Sequence, residues 1–397
     1  MKNPLQSLHD HGQSVWLDYL SRSLITTGEL KRLIEEDGLR GLTSNPSIFA
    51  KAIIDTGDYR EQLEAPESHA LDAKTLYERI VVADIQDAAD LLRPVYLESK
   101  RRDGYVSLEV SPRLAHETQG TLAEARRLWR TVGRENLMIK VPGTPEGIPA
   151  VQQLISEGIN VNVTLLFARE VYERVAAAYL GGLESFAQQG GDLGKVASVA
   201  SFFVSRIDTV VDHWIAERLK ASSKPGEQAR LRSLLGKVAN ASAKHTYQKY
   251  LEILHRDRWL ELHGHGAQTQ RLLWASTGTK NPNYRDVLYV EELIGPDTVN
   301  TMPPATLDAF RDHGRIRPTL TENVEEAIRI LDLAAEAGIS FKELTDKLLV
   351  DGLKQFGDAF DKLLEATDHS GKASDHDPMD SLRVKLLKEI YEGQHHP

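Results

Sequence analysis

Apolar residues along this chain fall into two patterns that take turns, and the alternation predicts an architecture. Eight short runs rich in branched side chains read as strands: 14–19, 41–43, 105–110, 137–141, 159–164, 196–204, 271–275 and 298–301. Between them the spacing changes to the helical period, over 29–36, 71–100, 116–132, 146–157, 168–188, 206–221, 227–257 and 304–313. Two more helical stretches follow at 322–337 and 341–366. Thr27 is the expected cap of 29–36 and Gly38 its stop, while 71–100 carries enough period for two helices.

Strands separated by helices imply a parallel sheet, and eight repeats imply closure. The expected fold is α/β, a (βα)8 TIM barrel with additional helices and a C-terminal extension. A doubly wound open sheet is the runner-up. It would want a glycine-rich fingerprint at its first turn, and Gly41, Gly143 and Gly147 fit no GxGxxG spacing. The barrel is expected over 1–367. Residues 368–397 read as a linker, rich in Asp, Ser, His and Gly, followed by a short helix at 381–391 or a tail.

Within the strands, polar residues recur at spacing two. Ser107 and Glu109 oppose Val106, Leu108 and Val110, and Asn160, Asn162 and Thr164 alternate with Ile159, Val161, Val163 and Leu165. Asp18, Thr43, Asn45 and Ser201 stand at or near other strand ends. Because strand side chains alternate faces, each set can turn apolar residues to covering helices and polar ones to a shared interior. Barrel sites assemble at the carboxyl face, where these residues end their strands.

Lys140 is the one charge in the run 137–141, so its ammonium carries a desolvation cost that needs a reason. A lysine nucleophile must be neutral, and an unperturbed pKa of about 10.4 leaves few uncharged copies at neutral pH. A barrel interior favours the neutral amine by desolvation, which is what a Schiff base requires. Glu109 can move protons through a water, and Asp18 can serve as a second acid/base in different surroundings. Each has a plainer reading. The two carboxylates can form a structural ion cluster with Lys140, Asn45 before Pro46 can be a helix cap, and Asn162 and Thr164 can satisfy each other.

Composition narrows the chemistry. At 397 residues with 41% hydrophobic and 27% charged residues, the chain is globular in character. A net charge of -10 argues against nonspecific nucleic-acid binding. The lack of cysteine removes thiolate zinc sites and cysteine nucleophiles. Neither a signal-peptide pattern nor an apolar run of about 18 residues is present, so no membrane is expected and the cytoplasm is the expected setting. Neither the pair His9 with His11 nor the pair His263 with His265 lies on an inward strand with an acidic ligand placed nearby, so no metal is expected. Ser201, Arg206 and the segment from Ser276 to Lys280 follow the sixth and seventh strands, where barrels commonly hold phosphate.

The segments WLDYLSR, LTSNPSIF, SLEVSPRLA, LMIKVPGTPEGIPA, INVNVTLLF, SFFVSRID and ASTGTKNP occur in the order that marks the transaldolase family in its longer bacterial form, and the chain resembles that family from about residue 14 to 366. The resemblance implies a transferase of the nonoxidative pentose phosphate pathway. It would pass a dihydroxyacetone unit from sedoheptulose 7-phosphate or fructose 6-phosphate to glyceraldehyde 3-phosphate or erythrose 4-phosphate. Lys140 would form the Schiff base and Asp18 would act as base on the C4 hydroxyl. Glu109 and Thr164 would orient a proton-shuttling water, and Asn45 and Asn162 would bond the three-carbon unit. Ser201 and Phe203 match positions lining the pocket, while Arg206 and Ser276 match phosphate contacts. Lys280 stands where shorter members have a second phosphate arginine, which exchanges a fork for a point charge. No cofactor is implied, because the iminium is the electron sink. A Schiff-base aldolase and a non-catalytic sugar-phosphate-binding barrel are the alternatives. A homodimer is left open.

Overall fold

The structure, a computed structural model, describes residues 3–369. Eight parallel strands close a barrel in chain order: β1 (Gln13–Asp18), β2 (Gly41–Thr43), β3 (Tyr105–Glu109), β4 (Leu137–Pro142), β5 (Val161–Leu166), β6 (Ser198–Phe203), β7 (Arg271–Ala275) and β8 (Thr298–Met302). β8 returns to β1 through the pairs from Gln13 with Thr298 to Leu17 with Met302. All eight expected strands are present, because runs covered on both faces have no solvent face to distinguish. Every residue of β4, β5 and β6 is buried. β1 and β2 meet closely. A Cβ on Gly41 would lie 2.5 Å from the Trp16 ring that it pairs against, so glycine alone fits there.

Several local expectations are corrected. Thr27 does not cap the helix Glu29–Glu36; that position is Gly28 at φ +81°, and the Thr27 hydroxyl bonds back to Ser23. Residues 71–100 hold one unbroken helix, Ala73–Glu98, with Pro94 near its end. The long stretch 227–257 is instead two helices, Pro225–Leu234 and Val238–Leu254, separated by Gly236 at φ +67°. A further helix, Asp257–Gly264, was not anticipated.

Asn160 precedes β5 and does not join the polar interior. Its amide bridges the backbone of Glu135, Leu137 and Ala197, tying β4 to β6. β5 also runs past Thr164 to Leu166 through a register shift, with Leu165 at φ +60°.

The two ends of the barrel treat buried charge differently. At the amino end, Arg271 bonds Asp103 at 2.8 Å and also Ser14, while Asp103 accepts from Ser14 and Trp16. Every charge there is answered, so the cluster serves as a plug. The carboxyl end is crossed by the helix Phe341–His369, which packs on the helices Pro46–Asp55 and Ala73–Glu98 and on β5. Its Gly352 sits where a Cβ would come within 3.0 Å of Leu165. Phe356 and Phe360 are buried beneath it, the latter edge-on to Tyr77 at 5.8 Å. The helix reaches His369, and the linker and short helix expected beyond it lie outside the described residues.

Candidate active site

The carboxyl ends of the strands surround a cavity of about 330 Å³. β4 delivers Lys140, which is 4% exposed and stands in register with Glu109 on β3 and Asn162 on β5. Its Nζ donates to the Ser44 carbonyl at 3.0 Å, lies 3.3 Å from Glu109 Oε2, and sits 5.9 Å from the centre of the Phe356 ring. The approach to Glu109 is a buried ion pair, longer than the bond to the Ser44 carbonyl. Burial pushes the Glu109 carboxyl above its ordinary range, the charge of Lys140 opposes this, and the charge of Asp18 adds to it.

Asp18 ends β1 across the cavity. It accepts from Thr43 at 2.6 Å, and the same hydroxyl meets Thr301 on β8 at 2.7 Å, so neighbouring strands hold the carboxylate in place. Burial raises its pKa, while the charge of Lys140, the Thr43 bond and the charges of Arg206 and Lys280 act in the opposite direction. Two partly buried carboxyls thus flank one amine in unlike surroundings, which suits separate proton-transfer tasks.

Asn45 fulfils its plainer reading and also reaches the cavity. Its side-chain oxygen accepts from the Ile48 amide at 3.0 Å, capping the helix Pro46–Asp55, and this leaves the amide NH2 for a ligand. Thr164 lines the cavity too, and its buried hydroxyl has no partner in the protein. Asn162 is not brought to the cavity wall. It donates to Ser107 at 3.1 Å and accepts from Ser201 at 2.6 Å, forming a chain across the barrel interior that leaves Thr164 out.

The opposite wall is cationic. Arg206 lies on the first turn of the helix Ser205–Ala221 and stacks over Phe203 at 5.3 Å. Burial lowers its pKa and Asp18 opposes that. The helix has no side-chain cap at its start, an arrangement that favours a nearby anion. Ser276, held at φ +54°, and Lys280 follow β7 and complete this side with Ser201 and Phe203.

Sequence reasoning missed Ser47, Lys51 and Phe356 on the cavity wall. The first two follow from the helix that Asn45 starts, because residues 47, 48 and 51 share one face at helical spacing. Phe356 had no local signal, since its place depends on how a distant helix crosses the barrel. Among the described residues, no group of three His, Asp or Glu side chains is placed to hold a metal, and no helix is long and apolar enough to cross a membrane.

Comparison with known proteins shows to which family this chain is similar. The family described as Transaldolase/Fructose-6-phosphate aldolase matches residues 15–367. The chain is 48% identical to a Trichodesmium erythraeum protein named Transaldolase, over 93% of this chain and 98% of that one. It is also 48% identical to Transaldolase 2 of Nostoc punctiforme, covering 92% and 96%, and to Transaldolase of Thiobacillus denitrificans, covering 89% and 96%.

Proposed function

The chain belongs to the transaldolase/fructose-6-phosphate aldolase family, and on that premise we propose that its reaction is transfer of a dihydroxyacetone unit between sugar phosphates through Lys140. The observation that carries the reading is a buried strand-end amine on the wall of a cavity, within 3.3 Å of one carboxyl and facing a second. The protein is then a transferase of the nonoxidative pentose phosphate pathway, taking sedoheptulose 7-phosphate or fructose 6-phosphate as donor.

The amine must first lose a proton, and Glu109, with its raised affinity for protons, is the nearest group to take it. Attack on the ketose carbonyl gives a carbinolamine, and loss of water gives the iminium. Glu109, beside the amine, and Thr164, whose buried hydroxyl is unpartnered in the protein, are the groups that orient a shuttling water. Asp18 takes the proton of the C4 hydroxyl as the C3–C4 bond breaks. The electron pair goes into the iminium, an aldose phosphate leaves, and the enamine waits for glyceraldehyde 3-phosphate or erythrose 4-phosphate. Asn45 holds the bound three-carbon unit, and Asn162 fixes the layer beneath it through Ser201. Arg206, Ser276 and Lys280 receive the phosphate, with Phe203 supporting the guanidinium plane.

The catalytic unit is assigned to 1–367, supported by a family match that ends at residue 367, with 368–397 outside it. A cytoplasmic setting accompanies this reading, and a homodimer is the assembly to test by light scattering. Borohydride trapping with fructose 6-phosphate tests the reaction. An irreversible adduct is expected on Lys140 and not in Lys140→Met. A normal adduct yield in that variant removes the assignment.

A further inference from the structure

A second cavity, of about 380 Å³, opens between the helix Val238–Leu254, the helix Val324–Glu336 and the segment 284–292. It shares no lining residue with the active cavity. Its polar groups are underused. Lys244 is 6% exposed, and its nearest partners, Glu292 Oε2 and the Glu322 carbonyl, both lie 3.4 Å away. Charge-assisted bonds usually close to about 2.7–2.9 Å, so this ammonium is loosely held. Asn240 is 7% exposed, and its side-chain oxygen is buried with no partner at all. Such a group destabilises the fold unless something answers it.

Asn323 adds a second amide. It occupies the left-handed region at φ +55° just before the helix Val324–Glu336, yet its side chain does not cap that helix. At the amino-end plug the buried cation Arg271 is closely held, by Asp103 and Ser14 at 2.8 Å each. Here a loosely held cation and an unanswered amide line the same cavity.

The charges choose among ligands. Glu292 and Glu326 also line the space, so a dianionic phosphate would meet as many negative walls as positive ones. A single carboxylate needs only one ammonium. A hydroxyl, donor and acceptor at once, pairs with the Asn240 amide in either orientation. We propose that this cavity is a second binding site, for a small hydroxylated carboxylate whose acid group pairs with Lys244 and whose hydroxyl pairs with Asn240. The site is independent of the transfer chemistry at Lys140.

Calorimetric titration of the full chain with D-glycerate and with L-malate tests this. One site per chain is expected for at least one probe. Lys244→Met and Asn240→Leu should each weaken it about tenfold or more, the scale of one lost charge-assisted or buried hydrogen bond. Ala327→Leu leaves both polar groups in place and fills the space, so it should abolish binding while the transferase rate persists. Lys140→Met and Lys280→Ala should leave affinity unchanged. The proposal is overturned by absence of heat with both acids, by binding that survives Ala327→Leu, or by binding lost with Lys280→Ala, which would place the acids in the active cavity.

Discussion

Lys140 and Glu109 stand side by side on β4 and β3, 3.3 Å apart, yet the lysine gives its directed hydrogen bond to the Ser44 carbonyl. The carboxylate is therefore near enough to exchange a proton, while the shorter contact of the amine is to a neutral carbonyl. A purely structural pair would be expected to close, as Arg271 and Asp103 do at the other end of the barrel.

Glu109→Gln keeps the shape and removes the proton acceptor. Adduct formation, followed by quenching with borohydride at short times, should slow by about 10²-fold or more, the usual worth of a positioned acid/base group. An unchanged rate of trapping would assign the proton transfer elsewhere.

Asp18→Ala separates the two halves of the reaction. The adduct on Lys140 should still form, while release of aldose phosphate drops by about 10²–10⁴-fold. Because burial raises the Asp18 pKa and the residue works as a base, activity should fail as pH drops through a value above 3.8. An acid limb at or below that ordinary value would count against Asp18.

Arg206→Ala and Lys280→Ala should act mainly on KM for phosphorylated substrates. Loss of a charged hydrogen bond is worth about 1.5–3 kcal/mol, or roughly 10- to 100-fold. An unchanged Michaelis constant in Lys280→Ala would remove that residue from the phosphate site.

Phe356 roofs the reacting lysine from a distant helix. Phe356→Ala should lower stability by about 3–5 kcal/mol and admit solvent to the enamine. Free dihydroxyacetone should then accumulate from fructose 6-phosphate when no acceptor is present, measured beside the parent protein. Equal leakage in both would show that the ring excludes nothing.

Asp208 carries a pH-dependent part of stability. It accepts from the Ala239 amide and the Tyr289 hydroxyl, and burial pushes its pKa up to about 7. Between the unfolded value of 3.8 and about 7 the folded chain keeps a proton that the unfolded chain has released. Stability should therefore fall as pH rises through this window and level off above it, by a few kcal/mol in all. Asp208→Asn should flatten the decline in denaturant midpoint; an identical pH profile would show that other groups cause it.

Much of the barrel was legible in the chain because burial on both faces leaves a run such as 137–141 nearly free of polar residues. Helix boundaries were less so. Gly236 separates one apparent helix into two, while Pro94 sits inside another that stays unbroken. Asn160 had the same spacing as Asn162, but its place just before β5 turns it to backbone bridging.

For the site, the alternation of polar and apolar residues determined Lys140, Glu109, Asp18 and Thr164 as inward strand ends, since a strand's period fixes which face each side chain takes. Only the closed barrel decided their distances, sent Asn162 into a chain with Ser107 and Ser201, and brought Lys51 and Phe356 to the cavity. Side-chain direction is a local property of the backbone. Which groups meet, and which buried atoms stay unanswered, depends on register between strands and on helices far away in sequence.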